Sequence, residues 1–317
     1  MVRQAHQPLY GRSEMSKIHF LALVAPEFDS DMLEHWIEYY KACTFDDYFV
    51  FLHSPIDHEG SDDLLHFTKR KLARYGISTS IVKGEFNTGA LRAECFRMMM
   101  RDFDKDDTVV TADSDEIHGI DPALYRGLIE QYDLLEGALV DRWGGTTASP
   151  TLAKALPDIP LELQYPHKGN LEGSLLPGFF AQPTKILASR CRIEVDFTGS
   201  HNTVDIYNRL PLPRIAGIYE VAHYRWRESI LLRMALRGYY TVEHMLDVCN
   251  YFNVPVKDRR EFMLKQVKMN NLKELEKLAT RPLAPVPEGM KNFTIDAETI
   301  TSPHIPMHRP ALFTEGR

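Results

Sequence analysis

Short apolar runs alternate along the first half of the chain with longer segments whose apolar residues recur every three or four positions. Ile18 to Val24 is a continuous apolar run, the pattern of a strand buried on both faces. Met32, Leu33, Trp36, Ile37 and Tyr40 then share one face of a helix, with Asp29 or Ser30 as its cap and Ala25-Pro26-Glu27 as the loop before it. Tyr48 to Leu52 predicts a second strand, ending in His53-Ser54-Pro55. Ser61 opens a helix carrying Leu64, Leu65, Phe67, Leu72 and Tyr75, and Gly76 stops it. A third strand is expected over Ile77 to Val82, and a helix from Asn87 or Thr88 through Leu91, Cys95, Met98 and Met99. Thr108 to Ala112 is the fourth strand, followed by a helix over Pro122 to Tyr132 and a strand over Leu135 to Val140. This alternation predicts an α/β fold, a mostly parallel central sheet with helices on both faces.

The second half is less regular. Between residues 143 and 222, the runs Leu161 to Gln164, Lys185 to Ala188 and Ile193 to Val195 suggest strands between long loops. Ser229 to Arg237, Thr241 to Tyr251 and Asp258 to Leu278 predict C-terminal helices, and Arg281 to Arg317 an extended tail. The expected organisation is a flexible extension over 1–16, a main domain over 17–250, a helical extension over 251–280 and a tail over 281–317.

Composition narrows the field. With 317 residues the chain can bury one large core. A net charge of -7 argues against a general nucleic-acid binder, which would show a basic face. The four cysteines are far apart and form no C-x-x-C pair, the pattern of free thiols in a reducing compartment. No apolar run is long enough to span a bilayer and no signal-peptide pattern opens the chain, so a cytoplasmic protein is expected, at most peripheral to a membrane. The Lys and Glu mixture of the last helix suits packing on the core or a homodimer.

The chemistry gathers at strand ends. In a parallel sheet, ligands bind off the carboxyl ends of the strands. Pro26-Glu27, His53-Ser54, Asp113-Ser-Asp-Glu116 and Asp141-Arg142 all fall at such ends. Asp113, Asp115 and Glu116 put three carboxylates into four residues directly after a buried strand, where they repel unless water or a cation neutralises them. Hard oxygen donors so arranged suit Mg²⁺ or Mn²⁺. The plainer reading is a solvated loop whose acids cap the next helix.

Several segments then resemble a known family. Met32-Leu-Glu-His-Trp-Ile-Glu-Tyr-Tyr40, Thr111-Ala-Asp-Ser-Asp-Glu-Ile117, Leu139-Val-Asp-Arg-Trp143, Phe197-Thr-Gly-Ser-His201 and Val221-Ala-His-Tyr-Arg-Trp-Arg-Glu-Ser229 are similar, in order and spacing, to elements of GT-A-fold glycosyltransferases of the family-2/family-92-like group. Ile117 departs from the usual aromatic. The resemblance implies a metal-dependent enzyme that moves a sugar from a nucleotide-sugar donor (UDP- or GDP-linked) to a glycan or lipid-linked acceptor, with inversion, as in surface polysaccharide synthesis. It implies Asp115 as the direct Mn²⁺ or Mg²⁺ ligand and His223 as the later residue that closes the metal or pyrophosphate site. Asp113 would reach the ribose, a bound water or the ion, and Glu116 would support the loop. Tyr224, Arg225 and Arg227 would supply hydrogen bonds and positive charge for phosphates. Pro26 and Glu27 would flank the nucleobase, and Arg92 would reach a phosphate. His201 and Arg142 would contact acceptor or donor sugar. Asp141 is a candidate general base or an ion-pair partner of Arg142, and Glu172 is the competing base. The alternatives are a haloacid-dehalogenase-like phosphohydrolase, a nucleotidyltransferase and an inactive sugar-binding scaffold. The motif follows the fourth strand rather than the first, and no Gly-rich basic loop appears near residue 25, which disfavours the first two.

Overall fold

A computed structural model describes residues 16–54, 61–82, 88–146, 148–175, 184–201, 203, 212–236 and 242–255. The expected N-terminal extension and tail, and nearly all of the helical extension, lie outside these residues. Among them, the elements are strands β1 (Ile18–Val24), β2 (Asp47–His53), β3 (Ser78–Val82), β4 (Thr108–Thr111), β5 (Glu116–His118), β6 (Leu134–Thr146), β7 (Ser149–Thr151), β8 (His167–Gly169), β9 (Thr184–Arg190) and β10 (Ile215–Trp226). The helices are α1 (Pro26–Asp29), α2 (Leu33–Ala42), α3 (Ser61–Arg74), α4 (Thr88–Met100), α5 (Pro122–Gln131), α6 (Leu161–Gln164), α7 (Leu171–Leu175), α8 (Ile230–Leu236) and α9 (Val242–Tyr251).

The sheet runs β3-β2-β1-β4-β9-β6-β10-β5, with β7 and β8 pairing β6. Along that path the ladders to β9 and β5 are antiparallel and the others parallel, so the sheet is mixed but mostly parallel. Both faces are covered, as the continuous apolar strands require. On β1 the alternation is explicit. Phe20, Ala22 and Val24 pack with Trp36, Ile37 and Tyr40 of α2 and with Tyr125 and Ile129 of α5. Leu21 and Leu23 pack on the other face with Ala93, Cys95 and Phe96 of α4. A third cluster joins Trp143 and Trp226, near the ends of β6 and β10, to α8 and α9.

Four local expectations change. The helix after β1 is broken: α1 is a single turn, and α2 begins later with Met32 at its N-cap and no side-chain cap. Asp29, expected to cap it, is instead drawn inward by arginines. Leu161–Gln164 is a helical turn rather than a strand, since four residues carry too little periodicity to separate the two. Ile193 to Val195 forms no strand, and Val195 makes an isolated bridge to Thr203. Finally, β10 crosses the irregular-looking region as a twelve-residue strand. The cap reading applies to Asp121, whose carboxylate accepts from Ala123 N–H at 2.9 Å at the start of α5. Gly76 ends α3 at φ 69°, where a side chain would be strained.

His118 on β5 sits wholly inside, with Nδ1 2.6 Å from the Tyr125 hydroxyl. Burial, helped by nearby Lys185, pushes its pKa down to about 3. An unfolded imidazole titrates near about 6.5, so the unfolded chain binds a proton the folded chain refuses. Its share of stability is complete above the unfolded pKa and is lost as pH falls towards 3. The urea midpoint should therefore rise between pH 4.5 and pH 7, and His118→Gln should flatten that rise. The ceiling on the difference is one proton, about 1.4 kcal/mol per pH unit.

Candidate active site

The fold brings the exits of β1, β4, β6 and β10 to one edge of the sheet. Two registers set the centre: His223 on β10 stands opposite Asp141 on β6 and opposite Glu116 on β5. The backbone of the Asp113–Glu116 turn is clamped from several sides. Trp36 Nε1–H donates to Asp113 O at 3.0 Å, Tyr40 O–H to Glu116 O at 3.2 Å, and Tyr224 N–H to Asp115 O at 2.7 Å. Ser114 O–H donates to Asp29 Oδ2 at 2.5 Å, tying the turn to α1.

Each carboxylate of the turn has a different environment. Asp113 is the more open, with one oxygen on the Arg92 guanidinium and the other 2.8 Å from Lys185 Nζ. Burial alone would raise its pKa, but Arg92 and Lys185 hold it well below the usual carboxylate range. Glu116 is 1% exposed; it pairs with Lys185 through one oxygen and accepts Asp113 N–H at 3.0 Å through the other. Asp115 is 2% exposed and carries the ion pair to Arg233, with His223 Nε2 3.6 Å from the same oxygen. Against the effect of burial, Arg233 and then His223 keep Asp115 ionised.

His223 is held from behind. Its Nδ1 lies 2.9 Å from Asp141 Oδ1, while Asp141 Oδ2 accepts Glu172 N–H at 2.8 Å. Burial opposes charge on the ring, yet the carboxylates of Asp115 and Asp141 push its pKa up to about 9. Asp141 does not pair with Arg142. Successive strand residues face opposite sides, and Arg142 instead pairs with Glu220, with Lys168 3.9 Å from the same carboxylate.

Behind Asp115 lies a second layer of charge. Arg233 bridges Asp115 and Asp29, with Nη2 2.6 Å from Asp29 Oδ1. Arg227, 0% exposed, joins Asp29 at 2.7 Å, pairs with Asp31, and donates through Nε to Tyr224 O at 2.5 Å.

The remaining predicted residues divide by position. Pro26 and Glu27 are on α1, with Glu27 accepting from Ser54 O–H across the exits of β1 and β2. Arg92 also donates to Phe197 O at 2.8 Å. His201 follows Ser200, whose φ of 54° makes a tight left-handed turn, and its Nδ1 is 2.6 Å from Thr184 O. Arg225 pairs with Glu172. Tyr224 reaches the turn only through its backbone: its ring packs against Tyr165, Met32 and Ala155. Sequence reasoning gave Asp29 to a helix cap and passed over Asp31, Lys185 and Arg233. A cation set among Ile230, Leu231 and Met234, or one leading an apolar strand, was the available signal for the last two.

A divalent ion fits part of this set. Among the described residues no group of three or more His, Cys, Asp or Glu is arranged to hold a metal. Two protein donors suffice for Mg²⁺ or Mn²⁺ when phosphates and water complete the shell. Asp115 and His223 offer that pair, and a carboxylate on the far ring nitrogen is the usual support of a metal-binding histidine.

No family model and no curated protein matches the sequence. Among solved structures, glucosyl-3-phosphoglycerate synthase from Mycobacterium tuberculosis, in complex with Mn²⁺, uridine diphosphate and phosphoglyceric acid, is 15% identical over 76% of this chain and 80% of its own, with a TM-score of 0.36. HddC from Yersinia pseudotuberculosis is 10% identical over 65% of this chain and 92% of its own, with a TM-score of 0.35. Likenesses this loose leave the chemistry to be argued from the side chains.

Lys185 provides a check on the geometry. Lys185→Met leaves Glu116 buried and unpaired, which should cost about 3–5 kcal/mol in urea denaturation at pH 7. Adding Glu116→Gln should recover most of that loss, because the two positions form one coupled pair.

Proposed function

We propose that this protein is a metal-dependent glycosyltransferase with a GT-A fold, moving a sugar from a nucleotide-sugar donor to a glycan or lipid-linked acceptor. The observation that carries the reading is the Asp115–His223 pair, facing at 3.6 Å with Asp141 locking the ring from behind. It stands at strand exits where a parallel sheet binds ligands, and arginines surround it. The segment resemblance supports the donor class.

In this reading Asp115 and His223 hold Mn²⁺ or Mg²⁺. The ion would stabilise negative charge developing on the diphosphate leaving group. Asp113 faces the donor ribose or a bound water, with Arg92 and Lys185 keeping it ionised. Pro26 and Glu27 flank the base, and His201 lies towards the sugar. Asp141 and Glu172 are the two candidate bases: Asp141 commits its oxygens to His223 and to the Glu172 N–H, and the Glu172 carboxylate carries the ion pair to Arg225. Inversion at the anomeric carbon follows the resemblance.

The test is equilibrium binding of uridine and guanosine diphosphates with and without Mn²⁺, followed by slow hydrolysis of a panel of nucleotide sugars. Nucleotide binding should require the ion, and Asp115→Ala should abolish it. Asp141→Asn should weaken Mn²⁺ binding about 10–100-fold, the usual cost of losing a histidine's supporting carboxylate. Nucleoside diphosphates that bind no better with Mn²⁺ than without it would refute the assignment.

A further inference from the structure

The guanidinium of Arg233 occupies the oxygen of Asp115 that His223 also faces. It is 6% exposed, bridges two carboxylates from different parts of the chain, and lies 5.3 Å from the Phe28 ring. Its Nε–H is buried and has no hydrogen-bond partner among the described residues. A buried donor left unused costs free energy, so Asp115 and Asp29 satisfy the guanidinium only in part. The arrangement makes electrostatic sense as neutralisation. Asp29 and Asp115 lie within reach of one guanidinium, and without a cation their charges would repel in a poorly hydrated place.

A divalent ion on the same face of Asp115 would meet Arg233 at short range, and two cations cannot share that oxygen cheaply. We propose that Arg233 is the resident counter-cation of the site: it fills the place of the divalent ion at Asp115 until the ion arrives, and then turns its guanidinium to the anion that accompanies the ion. This inference rests on the metal reading of Asp115 and His223. It adds that metal and diphosphate bind as a linked pair. The ion alone must displace a paired arginine, whereas the ion with a diphosphate gives that arginine a new bidentate partner. It also gives the unpartnered Nε–H a use, since a guanidinium edge presents Nε and Nη together to a phosphate.

The experiment is Mn²⁺ titration of the full chain, read as free Mn²⁺ by electron paramagnetic resonance, with and without uridine diphosphate. Arg233→Gln should bind Mn²⁺ alone at least about tenfold more tightly than wild type, because the competing charge is gone. In the same variant the gain in Mn²⁺ affinity on adding uridine diphosphate should shrink by about tenfold or more. Arg233→Lys keeps the charge and should keep wild-type affinity for Mn²⁺ alone. If Arg233→Gln does not fold, Asp29→Asn with Arg233→Gln removes one charge of each sign, and the same gain is expected against Asp29→Asn alone. Mn²⁺ binding that Arg233→Gln leaves unchanged or weakens, alone or against Asp29→Asn, overturns the role of Arg233 and leaves the metal site standing. Absence of Mn²⁺ binding to wild type, with or without the nucleotide, overturns both.

Discussion

The candidate site depends on one constraint: several carboxylates are held almost dry, and each must be matched by a cation. Asp29 and Asp115 meet through Arg233, and Arg227 ties Asp29 to Asp31. Asp113 and Glu116 meet through Lys185. Isolated, the buried ions among them, Asp29, Asp115 and Glu116, would each cost several kcal/mol. Matched, they fasten elements far apart in sequence. The exit of β1, the turn after β4, the end of β10 and helix α8 are joined by charge where the apolar clusters thin out. Buried ion pairs are poor sources of net stability but strict about geometry. That strictness suits a site more than a core.

The sheet prepares this geometry. Parallel register places Asp141 beside His223, and the antiparallel ladder from β5 places Glu116 on its other side. Backbone pairing alone therefore brings the three side chains together. The hydrogen bond that His223 Nδ1 donates to Asp141 then selects which ring nitrogen faces Asp115. Asp141 acts at one remove, through the ring it holds.

Legibility in the sequence followed the same division. Strands β1, β2 and β4 are buried on an apolar pattern, and the sequence located them, and the partly exposed β3, to within a residue or two. The strand β10 escaped, because its last residues bury His223, Arg225 and their partners rather than an apolar run. Charge satisfied at long range leaves no periodic trace. The carboxylates of the Asp113–Glu116 turn were readable because they crowd together in four residues. Their cations were not, since Lys185 and Arg233 come from segments 72 and 118 residues away, and each pairing exists only after folding. Asp29 was legible as an acid but assigned to the wrong work: a helix cap and an ion-pair anchor are the same residue until the arginines are in view.

This asymmetry bears on how such a site could work. Carboxylates concentrated in one turn ensure that a cation is always required. Cations borrowed from a distant helix mean that the one present need not be permanent. Arg233 is attached to α8, outside the sheet, whereas Lys185 begins the buried strand β9. A sheet-borne lysine is a fixed counter-charge, and Asp113 and Glu116 have no reason to exchange it. A cation carried on a short helix, with one donor still unpaired, can leave Asp115 at lower cost. The division of the turn into a permanently neutralised half and an exchangeable half follows from which element carries each cation.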